Sequence, residues 1–95
     1  MSFEVRFGPE SGVTFDAVVK QLLERWGEKT VLQFEAKVRG CIKTLSSNPY
    51  LFAIANHEME LRKCVLHKNC SILYKVYETE VLIVAFWDNR QQPLL

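Results

Sequence analysis

Between residues 57 and 75 the sequence concentrates the side chains best able to do chemistry. Cys64, His67 and Cys70 follow one another at three-residue intervals with His57 upstream, and thiolates with imidazoles are the usual ligands of zinc. Such pairs normally sit on a turn or knuckle, whereas here Cys64 and Cys70 fall inside two apolar, strand-like runs on either side of a turn. No metal is therefore assigned, and the bland reading is two buried or edge thiols flanking a turn histidine. The same region holds the cations Arg62, Lys63 and Lys68, with Arg90 further on. Arg62 admits two readings, an arginine satisfied within its own structure or a contact to another molecule. Lys68-Asn69 reads as a turn. Arg90 lies on a polar segment directly after an apolar strand, where functional groups are often carried.

These cations are a local feature. The whole chain of 95 residues carries 12 basic and 11 acidic residues, a net charge of +1, which gives no general field to hold a polyanion. Up to residue 60 there are seven basic against eight acidic residues; beyond it, five against three. Any basic surface therefore belongs to the C-terminal third. Length predicts one domain spanning 1–95, and an apolar fraction of 48% predicts a soluble globular chain. Three cysteines without a C-x-x-C pair fit free thiols in a reducing compartment. The start, Met1-Ser2-Phe3-Glu4-Val5-Arg6, has no apolar block, and no run approaches the ~20 apolar residues of a membrane span. A cytoplasmic protein with no membrane partner and no cofactor is expected.

The elements that must position these residues can be read in order. Phe3, Val5 and Phe7 alternate with Glu4 and Arg6, a short strand with one buried face; Gly8-Pro9-Glu10-Ser11-Gly12 reads as its break. From Phe15 the period changes, and Phe15, Val18, Val19, Leu22, Leu23 and Trp26 form one helical stripe, with Thr14 expected to cap the first turn and Gly27 to end it. Trp26 continues the stripe and is expected in the core, as is Trp87. Val31, Phe34, Val38, Cys41, Ile42 and Leu45 mark a second helix, opened by Thr30 and Gln33 as a capping box or already at Glu28. Gly40 inside it suggests close approach of the first helix. So short a turn makes the two helices an antiparallel hairpin. Residues 50–60 read as a loop, followed by strands near Leu61–Leu66, Cys70–Tyr77 and Val81–Trp87. The last is apolar on both faces and belongs inside a sheet, while Tyr74 alternates with Ile72 and Val76 and is expected in the core. The fold class is α+β: an N-terminal strand, an antiparallel helical hairpin, then a three-stranded antiparallel meander with one sheet face partly open.

This element order resembles the RelE/ParE superfamily of toxins, and local patterns carry the likeness along nearly the whole chain. Leu22-Leu23-Glu24-Arg25-Trp26-Gly27-Glu28 resembles the helix–Trp-Gly–helix junction of ParE-type plasmid stabilisation proteins, and Ser47-Asn48-Pro49-Tyr50 the Asn-Pro that closes their second helix. Leu61-Arg62-Lys63, Ser71-Ile72-Leu73-Tyr74-Lys75-Val76 and Phe86-Trp87-Asp88-Asn89-Arg90-Gln91-Gln92-Pro93 resemble the Leu-Arg, aliphatic-Tyr-Arg/Lys and aromatic-x-x-Arg-x-x-Pro segments that follow. The resemblance implies the toxin of a type II toxin–antitoxin module, silenced by an antitoxin whose disordered segment folds on the toxin. Its acidic groups would reach Arg62 and Arg90, in a hetero-oligomer of the two chains.

Two modes of action go with that resemblance. RelE-like members cut messenger RNA on the ribosome, which needs a base, a cation for the phosphorane charge and an acid for the leaving oxygen. Of that set Arg90 has a match, the arginine before the aliphatic-Tyr strand falls near the uncharged Ser71, and a final tyrosine has no counterpart. Arg62 and Lys63 are the candidates on the preceding strand, and arginine is a poor base near neutrality. A substitute set would use His67 as base or acid, Lys68 and Arg90 as cations, and Tyr74 or Tyr77 as proton donors. ParE-like members act on DNA gyrase without chemistry of their own, and the missing groups favour that mode, with Arg62, Lys63, Lys68 and Arg90 as target- or antitoxin-binding residues. A toxin fold that only binds is the third reading.

Overall fold

A computed structural model describes residues 2–67 and 70–88; Lys68, Arg90 and the segment 89–95 lie outside the described residues, as do the expectations placed on them. The elements are β1 (Glu4–Phe7), α1 (Pro9–Trp26), α2 (Glu28–Ser47), β2 (Ile54–Asn56), β3 (Leu61–His67), β4 (Cys70–Val76) and β5 (Glu80–Asp88). The five strands form one sheet in the order β1-β5-β4-β3-β2. Strands β2 to β5 are antiparallel neighbours, and β1 joins the far edge parallel to β5, Val5 opposite Val81. The helical hairpin covers one face, α1 lying against β5 and α2 reaching both β3 and β1. The expected α+β architecture is present, enlarged by the short edge strand β2 inside the segment expected to be loop.

Helix α1 starts earlier than its apolar stripe announces. Gly8-Pro9 is a helix start, not a break: proline at the first position loses an N–H that has no helical partner anyway. Ser11 replaces a side-chain cap, its buried hydroxyl donating to the Gly8 carbonyl at 2.6 Å. Thr14 consequently sits one turn inside. Its hydroxyl donates back to Glu10 and Ser11 carbonyls at 2.7 and 3.1 Å and accepts the Phe86 backbone N–H at 2.9 Å. Between α1 and α2 Gly27 has φ +89° and ψ −177°, a conformation that side chains with a Cβ rarely adopt. Its N–H caps α1 on Leu23, and α2 opens at Glu28 with no side-chain cap, so Thr30 and Gln33 make no capping box. Gly40 is exposed, and a Cβ there would meet nothing within 4 Å. No helix approach requires it.

The core lies between hairpin and sheet. Phe34, Val38, Cys41 and Leu45 of α2 pack on Cys64, Leu66, Ile72 and Tyr74, and on Val81, Ile83 and Phe86 of β5. Strict alternation along β5 would turn Phe86 to the other face; instead the register shifts, Leu73 pairing with Ala85 and Tyr74 with Ile83, so that Val84 is an extra residue. The bulge returns Phe86 to the helices, where it meets Phe15 at 5.1 Å and Phe34 at 6.3 Å, both edge to face. Phe15 and Phe34 are themselves 5.9 Å apart. The C-terminal turn of α2 is clasped to β1 by Phe3 N–H donating to Ser46 O (2.7 Å) and the Ser46 hydroxyl donating to Phe3 O (3.0 Å). Strand β5 lies inside the sheet as its composition required, but only its helix-facing side is fully buried.

Two glycine substitutions should move stability in opposite directions. Gly40→Ala is expected to stabilise by about 0.5–1 kcal/mol, the ordinary helix-interior difference, and Gly27→Ala to destabilise by about 1–3 kcal/mol. Thr14→Val, which keeps the shape but orphans the Phe86 N–H, is expected to cost about 1–3 kcal/mol. Urea denaturation of the three variants reads all of these, and a destabilised Gly40→Ala or a neutral Thr14→Val would contradict the account of α1 and α2 given above.

Candidate functional site

Neighbouring residues of a strand point to opposite faces, and this separates Arg62 from Lys63. Arg62, opposite Tyr74, turns to the helix side. Its Nη1 donates to the Phe52 carbonyl at 2.7 Å and its guanidinium carbon stands 5.1 Å from the centre of the Tyr50 ring. It therefore ties the segment after α2 to β3. Beside it the fully buried Tyr74 donates its hydroxyl to the Pro49 carbonyl at 2.8 Å, so the expected core role of Tyr74 holds. Burial pushes its phenol up to about 12, against an opposing pull from the Arg62 charge.

Lys63 is half-buried on the other face, opposite Leu73, and Lys75 lies two residues along β4 on that same face. Leu61 and Leu73 are buried there without belonging to the helix-facing cluster. The next row across the sheet is Val65, Ser71 and Trp87. Ser71 is fully buried, Trp87 half-buried and Val65 exposed. Trp87 is thus not in the core that the helices close. Across β3, β4 and β5 this row carries no charge. Arg6, near the β1 edge of the face, is paired with Glu80 at 2.9 Å, an exposed pair of small energetic weight.

His67 ends β3 and opens on a different place, a cleft of about 500 Å³ between the junction end of the hairpin and the ends of the strands. Leu22, Phe34 and Cys70 line its depth; Arg25, Trp26 and Lys37 stand on the helix side. Asp88 faces them from β5, opposite Cys70 in register. Trp26 is 67% exposed and so is not a core residue. It belongs to the last turn of α1, where no further turn of its own helix continues the packing. Sequence reasoning missed Arg25, Trp26 and Lys37 as one locus, because they come from two helices whose crossing no spacing rule provides. The Trp-Gly junction was the available signal.

The three thiols are free and buried. Cys64 faces the helices rather than His67, and its sulfur is a hydrogen-bond partner of Cys41; that contact, with burial, raises the Cys41 thiol far above its ordinary range and lowers the Cys64 thiol against the opposing effect of burial. Burial, then the Asp88 carboxylate, pushes Cys70 up to about 11. Held protonated, Cys41 and Cys70 are neither good nucleophiles nor metal ligands. Among the described residues no group of three or more His, Cys, Asp or Glu side chains is placed to hold a metal ion. Nor, among the described residues, is any helix long and apolar enough to cross a membrane.

With this geometry in hand, the comparison with solved structures becomes informative. The chain is similar to a chain of the chromosomal ParDE TA system from P. aeruginosa, with a TM-score of 0.76 at 14% identity over 90% of this chain and 95% of the other. It is also similar to the YoeB dimer from Staphylococcus aureus, with a TM-score of 0.55 at 13% identity over 90% and 94%. The chain therefore has the RelE/ParE fold. No protein-family profile and no curated protein sequence matches it.

The buried acids of this site set an alkaline limit. Cys70 and Tyr74 hold their protons more tightly when folded than in the unfolded chain, so their contribution is complete below pH 9 and is lost as pH rises towards 11 and 12. The urea midpoint should stay level from pH 7 to 8.5 and then fall, with a shallower fall in Cys70→Ala. A midpoint unchanged up to pH 11 would contradict the burial of both groups.

Proposed function

We propose that this chain is the toxin of a type II toxin–antitoxin pair and acts by contact with a protein target, DNA gyrase, without cutting RNA itself. The observation that carries this reading is the uncharged row Val65–Ser71–Trp87 across the sheet face opposite the helices. A cation for the phosphorane charge is missing from the strand position where the ribonuclease mode requires it. The fold likeness to a chain of the ParDE system and to YoeB supports the toxin–antitoxin part of this reading. Lys63, and Lys68 and Arg90 outside the described residues, serve this reading as contacts to target or antitoxin. Arg62 contributes through the loop it holds.

The antitoxin is a separate acidic chain, and its disordered segment folds on the toxin, burying surface that offsets the ordering entropy. The pair works in the cytoplasm. The ribonuclease mode keeps one specific support, the two ammonium groups Lys63 and Lys75 on the same open face.

Purified protein added to a gyrase supercoiling reaction is expected to inhibit it and trap cleaved DNA, while a translating ribosome extract keeps its messenger RNA intact. Lys63→Glu should weaken the gyrase effect by about tenfold, one charge contact's worth, without changing the melting temperature. Codon-positioned cuts in the extract would overturn the gyrase reading in favour of the ribonuclease. Inactivity in both assays, with growth unaffected on expression, would leave a toxin fold that only binds.

A further inference from the structure

We propose that the cleft at the junction of the hairpin binds a small aromatic anion of the nucleoside monophosphate class, its base on Trp26 and its phosphate between Arg25 and Lys37. This goes beyond the toxin reading and does not depend on it. The cleft, of about 500 Å³, lies inside the range of small-molecule sites and is large enough for one mononucleotide. It lies between two helices and the strand ends, with Leu22 and Phe34 beneath.

Three features define the chemistry. An indole left 67% exposed at the mouth of an apolar cleft offers a flat π-face, which stacks on any base without regard to sequence. Arg25 and Lys37 reach the same cleft from different helices, and among the described residues the one ion pair is Arg6–Glu80, so neither is neutralised by a carboxylate. Two like charges held around one cavity are relieved by an anion between them. Gln21 and Gln33 add amide groups that both donate and accept, which suits a base edge. Asp88 lines the same cleft from the sheet side. A net charge of +1 disfavours a nucleic-acid polymer, and the two cations match the charge of about −2 on a single phosphate monoester.

The test is calorimetric titration of the full chain with the four nucleoside 5′-monophosphates, alongside ribose 5-phosphate, inorganic phosphate and a short acidic amphipathic peptide. At least one nucleotide is expected to bind below millimolar concentration and to quench tryptophan fluorescence, in the wild type and in Trp87→Phe. Trp26→Ala, and separately the double variant Arg25→Ala/Lys37→Ala, should each weaken it by about tenfold or more with an unchanged melting temperature, because these side chains are exposed. Inorganic phosphate bound as tightly as any nucleotide, with Trp26→Ala without effect, would overturn the stacking role. Binding of the peptide and of no nucleotide would make the cleft a protein interface and overturn the proposal, as would no binding by anything. The gyrase and ribosome assays read the toxin reading independently, so either can fail while the other stands.

Discussion

The bulge at Val84 is the constraint around which the molecule is arranged. One additional residue in β5 lets Val81, Ile83 and Phe86 all face the helices, although regular alternation would send one of them to the opposite side. Phe86 then completes a group of three rings with Phe15 of α1 and Phe34 of α2. The two helices and β5 each supply one ring, so their packing sets how both helices sit on the sheet. The Phe86 N–H just past the bulge donates to the Thr14 hydroxyl, which explains why a hydroxyl one turn inside α1 is placed there rather than at the cap. Local irregularity in the strand and the position of the hairpin are one event.

The consequence for function is a molecule with two unlike surfaces. The helices close one sheet face over apolar side chains and leave, at their junction, a cleft whose rim is cationic and aromatic. The opposite face is shielded at Leu61, Ser71 and Leu73 but keeps Lys63 and Lys75 as its ammonium groups. Arginine, the better residue for bidentate recognition, is spent at position 62 on holding the segment after α2.

Thiols and tyrosine illustrate the same economy of reactive groups. Cys41, Cys64 and Cys70 are buried, two of them against each other, and Tyr74 gives its proton-bearing oxygen to a backbone carbonyl. Residues that look chemical in a linear reading act here as small apolar or hydrogen-bonding parts of the core: the contact with Cys64 favours the neutral form of Cys41, and desolvation favours those of Cys70 and Tyr74.

Periodicity by itself determined a good deal of this protein. The stripe from Phe15 to Leu22 and the stripe from Val31 to Leu45 made the hairpin legible, and the apolar runs around Ile72 and Val81 made the antiparallel strands legible, since burial of one face imposes a repeat that survives in the chain. Strand β2 was not legible, for three residues are too few to show a period. The true start of α1 was hidden because glycine and proline punctuate loops and helix starts alike. Only the tertiary structure decided that Trp26 is exposed while Phe86 is buried, that Arg62 and Lys63 serve opposite faces, and that His67, Arg25 and Lys37 share one cleft. Those facts depend on the angle between packed elements and on a register shift, and neither quantity leaves a repeat in the sequence.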